Sequence, residues 1–528
     1  MLRREFLLTT AAAGVLPSAV DAKTRIGFVR STHAKLRAPA PLDDGLTYEQ
    51  VREMVFQAIA YGAPRAGSLE AKIKPGAWVV LKPNIVFLRP HPSYAKGDIT
   101  DFRVTRAVLE YVATRTKAGR ITIAEGGTYR SLKDRAEDNV VTQDGRRVTA
   151  YNFDWGHEEF PGFHGSLGGM MDEYRRAVPG KKFDYVDLSY DAVRDAGGRF
   201  LRLQVPKAAN GVGAFGARPD YFVTNTITKC DFLITIPVMK VHLQSGITAC
   251  LKNYVGTAPR EAYATPGVFH NANLHSGHSA GGRIDPFIVD LASFHPPDYC
   301  VVDGIRGLQT QEHSVHRADQ TVRSNLVMAG EDPVATDAMV ARQLGFQPYD
   351  IEFLHMAARR GMGTMDEGLI DVRGDEPDRG SARWEKPKQW YGRCNREWLI
   401  ETGAGKWQAH QAPFDTLDLA EVTKVPAGPH ASYKVAVNVQ ASGHRKGYLW
   451  FGLRGHAHVL LNGEPMVTRE SETRFRIGQF QYPIALQPGM NRLEFRVKPR
   501  AGQALLSVLI TGARNDGDTV EGVRWLAS

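Results

Sequence analysis

Short apolar runs alternate with stretches of helical periodicity along roughly the first two-thirds of the chain. Residues 26–29, 77–81, 121–124, 185–188, 231–237, 299–302 and 325–329 read as buried strands. Between them, residues 48–60 are amphipathic with Thr47 as N-cap, and Thr100 or Asp101 heads a helix running to about Ala113. Residues 288–293 look helical, and Asp332 followed by Pro333 is an N-cap with proline at the first helical position. Such alternation, sustained from Ile26 to about Val372, predicts an α/β domain whose largely parallel sheet is flanked by helices.

The pattern changes near residue 375. Residues 376–430 are polar, proline-punctuated and rich in tryptophan (Trp384, Trp390, Trp398, Trp407), which predicts a linker or strap. Beyond them, strand-like runs at 433–439, 448–453, 457–461, 474–477, 482–486, 491–497 and 504–510 are separated by turns such as Asn462-Gly463 and Pro488-Gly489. Residues 431–528 therefore predict a smaller all-β jelly-roll sandwich. At the other end, Arg3-Arg4 precedes an apolar, alanine-rich run too short to span a bilayer, and Val20-Asp21-Ala22 offers small residues for cleavage. Residues 1–22 thus read as a twin-arginine signal, with residues 23–375 forming the α/β domain. The expected location is periplasmic or secreted, with no integral membrane segment once the signal is removed.

Composition adds bounds. The chain has 528 residues, 43% hydrophobic and 23% charged, which suits two or three globular domains. Its net charge of +9 is dispersed, without a Lys/Arg run or a nucleic-acid motif. Nucleic acid is therefore not the expected partner; an anionic small molecule or a carbohydrate-derived ligand is. Four cysteines without C-x-x-C spacing exclude zinc ribbons, ferredoxin-type clusters and thioredoxin chemistry. Cys230 and Cys300 read as small buried hydrophobes, and any disulfide pairing stays open.

Candidate chemistry concentrates between Cys230 and Arg260. An apolar strand is stopped by Pro237, and Lys240, His242, Thr248, Lys252 and Asn253 follow on a segment bearing Gly246 and Gly256. The plain reading is surface lysines around a βα connection; the functional one is a set that holds an anion or a metal-bound substrate. Lys82-Pro83-Asn84 repeats the theme after another strand. Asp101 and Arg103 sit at a helix start, where the cation opposes the positive N-terminus unless an anion is bound. Four strand ends carry charge (Lys82, Glu125, Lys240, Asp303), and parallel neighbouring strands would bring them to one edge. In this reading Lys82, Lys240 and Lys252 supply electrostatic stabilisation, His242 transfers a proton, and Asn84, Asn253, Thr248, Asp101 and Arg103 bind substrate. Asp303 and Asp337 suit metal binding or base chemistry. His270 and His275, in a histidine-rich loop with His278, are further candidate ligands for a divalent metal, although that loop lacks an acidic partner. His157 and His164 read more simply as surface histidines.

The phrases VVLKPNIV (79–86), TDFRVTRAVLEYV (100–112), ITIPVMKVHLQSGITACLKNYVG (234–256), VVDGI (301–305) and DPVATDA (332–338) resemble the family called domain of unknown function 362. Some of its members carry ferredoxin-like cysteine motifs, which this chain lacks, so their implied redox work does not carry over. The family is also distantly similar to the catalytic domain of nickel-pincer lactate racemases. That similarity implies parts for Lys240, His242, Asp101 and Arg103 around a metal-bearing nucleotide, although their spacing departs from that pattern. The phrase HVLLNGEPM…YPIALQPGMNRLEFRV resembles the galactose-binding-like sandwiches of secreted carbohydrate-active proteins, which implies sugar binding. The resulting expectation is an exported enzyme of unassigned reaction that binds an anionic substrate or cofactor. A non-catalytic periplasmic ligand- or glycan-binding protein and a racemase-like isomerase are the alternatives.

Overall fold

The computed structural model describes residues 23–31, 45–86, 97–126, 140–143, 146–149, 167–263, 272–279, 283–310, 312, 320–346, 348, 351–377, 384–387, 394–403, 405–412, 415–428, 430–471, 478–500, 504–512 and 520–526. The twin-arginine segment, His157, His164, His270 and the run at 474–477 lie outside them.

One sheet of eight strands organises the first unit. In chain order its members are β1 (Thr24–Arg30), β2 (Trp78–Pro83), β3 (Arg120–Glu125), β4 (Lys182–Asp187) and β5 (Phe232–Ile236). A short hairpin follows, formed by β6 (Lys240–His242) and β7 (Gly246–Thr248). The sheet resumes with β8 (Tyr299–Leu308), β9 (Thr321–Gly330) and β10 (Ile370–Gly374). The spatial order is β10-β1-β9-β8-β5-β2-β3-β4. β4, β3, β2, β5 and β8 are successively parallel. β9 runs antiparallel to both of its neighbours, β8 and β1. The largely parallel sheet is thus present, with one reversed strand entering through the β8–β9 connection.

Strand side chains alternate between two apolar layers. Val79, Leu81, Tyr299 and Val301 join helices α1 (Tyr48–Tyr61), α2 (Phe102–Arg115) and α3 (Leu167–Ala177). Val80, Cys300 and Val302 join α4 (Asp285–Ala292), α5 (Pro333–Gln343) and α6 (Glu352–Arg359) on the other face. Burial on both faces explains why these strands read as unbroken apolar runs. α1 starts where its sequence says it should. The Thr47 side chain accepts from the Gln50 amide, and the Gln50 side chain accepts from the Thr47 amide. Among the described residues no helix is long and apolar enough to cross a membrane.

The second unit is all antiparallel, with two sheets enclosing Val435, Val437, Leu449, Phe451, Phe495 and Val497. Asn462 and Gly463 both have positive φ (54° and 87°), the conformation a two-residue hairpin needs, and join Gly455–Leu461 to Glu464–Ser471. The sandwich starts earlier than the expected boundary at 431. Glu397–Gly403 pairs with Tyr433–Ala441, and Leu417–Asp418 pairs with Leu505–Gly512. The run Trp398-Leu399-Ile400 is too short to stand out among charged neighbours, yet the Trp398 ring is fully buried and meets Phe495 edge-on.

Buried charged residues lie where the two units meet. Arg283 pairs with Glu352 inside the α/β unit, and its Nη2 lies 3.4 Å from Thr416 Oγ1. Arg396 Nη2 reaches Asp415 Oδ1 at 3.2 Å on the sandwich side. Burial pushes the nearby Asp285 carboxyl up to about 6, with Arg283 opposing and Asp415 adding like charge. Removing one partner from such a pair strands the other in a low-dielectric setting. Arg283→Met is expected to cost about 3–5 kcal/mol in urea unfolding; a loss below about 1 kcal/mol would show the pair to be energetically idle.

Candidate functional site

The carboxyl ends of β2, β3, β5 and the parallel part of β8 face one edge of the sheet, where α/β proteins build their sites. Lys82, on β2, has no exposed surface. Its Nζ donates to Glu125 Oε2 at 2.8 Å, to Asn253 Oδ1 at 3.1 Å and to the Pro83 carbonyl at 3.2 Å. Asn253 returns its amide to the Lys82 carbonyl (3.0 Å) and Thr235 Oγ1 (2.9 Å), so one side chain stitches β2, β5 and the loop after β7. Asn84 Nδ2 donates to the same Asn253 oxygen at 3.3 Å. Burial pushes Lys82 down and Glu125 up, each opposed by the charge of the other. Gly256 lets the loop close over this pair: a Cβ there would fall 2.3 Å from Glu125 Oε1 and 2.9 Å from Lys82 Nζ.

The hairpin after Pro237 supplies a second group. Lys240 faces Thr248 across the ladder, and His242 faces Gly246, whose φ of 78° suits the turn. Lys240, His242 and Thr248 therefore share one face of the hairpin. Lys240 is spent on Asp98, pairing with its carboxylate and donating to its carbonyl at 2.6 Å. His242 Nδ1 accepts from the Gln244 and Ser245 amides, both at 3.2 Å, which assigns the ring proton to Nε2. Nε2 then donates to Glu312 Oε1 at 2.9 Å, while the Leu243 amide holds Glu312 Oε2 at 2.8 Å. The result is an oriented His–carboxylate pair.

Lys252 differs from the other two lysines. It is partly buried and has no hydrogen-bond or ion-pair partner among the described residues. Its pKa is pushed down to about 8, by burial first, with Lys240 and Lys82 adding like charge and Glu312 and Asp285 opposing. Thr248 Oγ1, four residues before Lys252, and Asn84 Oδ1 are also buried without a hydrogen-bond partner among the described residues.

Asp101, Arg103 and Asp303 form a separate structural knot. Asp101 caps α2 through the Arg103 amide (2.9 Å), and both of its oxygens engage the Arg103 guanidinium, which also donates to the Leu46 carbonyl. Asp101 thus supplies negative charge that answers the cation at the helix N-terminus. Asp303 accepts the Asp101 amide at 2.7 Å and the Ile305 amide at 2.9 Å. Burial, with the Asp101 charge second, pushes its carboxyl up to about 7. Asp337, on α5, accepts the Cys250 and Leu251 amides at 2.7 and 3.0 Å and so anchors the loop that carries Lys252. Burial pushes it, too, up to about 7. His275 lies on Ala272–His278, its ring edge-on to Phe287 of α4. No group of three His, Cys, Asp or Glu side chains suited to a metal ion occurs among the described residues. All four cysteines are buried and free.

Two partners were not legible in the sequence. Asp98 and Glu312 lie in polar loops without periodicity, and only the fold brings them onto Lys240 and His242. The profile of the family described as Domain of unknown function (DUF362) matches residues 190–342. The matched segment holds Lys240, His242, Thr248, Lys252 and Asn253, whereas Lys82 and Asp98 lie upstream of it. No curated protein sequence matches the chain. Among solved structures, the lactate racemase apoprotein from Thermoanaerobacterium thermosaccharolyticum matches at 12% identity and TM-score 0.26, over 54% of this chain and 52% of that one. A family 35 carbohydrate binding module from Clostridium thermocellum matches at 13% identity and TM-score 0.14, over 23% of this chain and 91% of that one. At TM-scores this low neither likeness bears on function.

The buried Lys82–Glu125 pair has a testable energetic signature. Lys82→Met is expected to destabilise by about 3–5 kcal/mol because Glu125 is left alone, and adding Glu125→Gln should recover most of that loss. A double variant as unstable as the single one would show that the two charges are not coupled.

Proposed function

We propose that the DUF362 domain is an enzyme that holds a small anionic substrate on Lys252, with the His242–Glu312 pair moving a proton at the bound molecule. The observation that carries this reading is the imbalance among three neighbouring lysines. Lys82 and Lys240 are committed to buried carboxylates, and Lys252 keeps its ammonium unmatched among the described residues. An unpaired cation in a partly desolvated place is costly unless something negative completes it. His242, held in one tautomer against Glu312, is arranged for acid–base work.

A divalent metal does not fit the described residues. Asp303 and Asp337 hold backbone amides with both oxygens, His242 is occupied at both nitrogens, and no three-ligand group is present among the described residues. No step here runs through one. The twin-arginine pattern supports export as the setting for this activity, and the sandwich is read as a carrier of a carbohydrate-derived ligand.

Thermal unfolding with small carboxylates and phosphate tests the assignment. A matching anion at a hundred times its Kd should stabilise the protein by about 2.7 kcal/mol, and Lys252→Met should abolish the effect. The stabilisation should fade as pH rises through about 8, where Lys252 loses its proton. Without ligand the sign reverses. The folded pKa lies below the ordinary lysine value, so the unfolded chain binds more protons above pH 8 and stability rises with pH until the unfolded lysine also titrates. An undiminished anion response in Lys252→Met would overturn the reading.

A further inference from the structure

We propose that Cys230, His295 and Asp298 form a second chemical site, in which the Cys230 thiol reduces a small uncharged hydroperoxide and is left as a sulfenic acid. The three residues lie at the amino ends of the parallel strands β5 and β8, across the sheet from the edge where Lys82 ends β2. The inference is therefore independent of the function proposed above. Cys230 Sγ is 3.7 Å from His295 Nδ1, and His295 Nε2 is 3.0 Å from Asp298 Oδ2. An ionised carboxylate only accepts, so Nε2 carries the ring proton and the Nδ1 lone pair faces the sulfur. Both partners are themselves fixed. The Leu233 amide donates to Asp298 Oδ2 at 2.8 Å, and the Tyr254 hydroxyl donates to the His295 carbonyl at 2.6 Å. A nucleophile with a base in reach, and a third group orienting that base, is the arrangement that activates weak nucleophiles. The Ile227 carbonyl, 3.6 Å from Sγ, is the competing acceptor for the resting thiol.

Three features select the substrate class. Cys230 is only 7% exposed, which admits a molecule of a few atoms, while His295 and Asp298 keep 18% and 31% of their side chains in solvent. The charged groups that face the sulfur, Asp298 and Asp231, are both acidic and repel an anion. Burial, with Asp298 second, pushes the thiol up to about 12, so thiolate is scarce and the proton must leave as the sulfur attacks. A hydroperoxide suits that requirement, because its leaving oxygen needs a proton and His295 has just taken one. The sulfur lone pair forms the S–O bond to the nearer oxygen, and the O–O electron pair departs with the farther one. The proton from sulfur passes through Nδ1 to that departing oxygen and completes water. The sum for hydrogen peroxide is thiol plus peroxide to sulfenic acid plus water, the sulfur losing the two electrons that the peroxide gains.

The full chain is treated with hydrogen peroxide in the presence of dimedone, which caps sulfenic acids, and labelled peptides are quantified by mass spectrometry. Label is expected on Cys230 well before the other three buried thiols, Cys250, Cys300 and Cys394. His295→Gln should slow it about 100-fold. Asp298 acts through His295 as a positioning residue, so Asp298→Asn should slow it less. In the wild type the rate should be level from about pH 8 to pH 10, where a neutral imidazole is already the base. A rise of about tenfold per pH unit across that range is the signature of unassisted thiolate and would overturn the relay. Cys230 labelled no faster than the other cysteines, or at an unchanged rate in His295→Gln, overturns the site. Matched unfolding curves show that the variants are folded; should His295→Gln unfold, the wild-type pH profile decides by itself.

Discussion

The contact on which the rest depends is the one between Lys82 and Glu125, closed by Asn253. Two strand ends that repel water supply opposite charges, and a loop from a third strand delivers the amide that satisfies what remains. Taking both ions out of water is expensive, and a buried pair of this kind adds little net stability over an apolar substitute. What it does is hold position. With Asn253 bonded to Lys82, to the Lys82 carbonyl and to Thr235, the neighbouring residue, Lys252, is held at the carboxyl edge of the sheet. Asp337 holds the same loop from its other side through the Cys250 and Leu251 amides.

Other candidate charges in the unit are already answered. Asp98 answers Lys240, Asp101 answers Arg103, Glu312 answers His242, and Asp303 is occupied by backbone amides. Such completeness is ordinary for buried polar groups, because an unmet one costs as much as a lost hydrogen bond or more. It makes the exception informative. Arg103 and Asp337, which look chemical in isolation, are engaged by partners within the fold.

The sandwich is joined to this unit by a different use of the same physics. Arg283, Glu352, Arg396 and Asp415 bury charge at the seam between the two units, where an apolar seam would suffice for adhesion. Asp285 is one of the groups whose charge Lys252 feels, which places the seam within electrostatic range of the site.

Much of this was written in the order of the residues. Apolar runs buried on both faces mark strands whatever surrounds them, and Thr47, Asp101 and Asp332 announce helix starts through local hydrogen bonds, so the α/β domain and most sandwich strands were legible. So was the cluster Lys240, His242, Thr248, Lys252, Asn253, because it follows a strand end directly. The reversed strand β9, the early sandwich strand Glu397–Gly403, and the division of three similar lysines into two spent and one unspent were not legible. Each of these depends on a partner distant in sequence: Glu125 lies 43 residues from Lys82, and Asp98 lies 142 from Lys240. Residue type and spacing report what a side chain is able to do; desolvation and the charge beside it decide whether it is still free to do so, and those exist only in the folded chain.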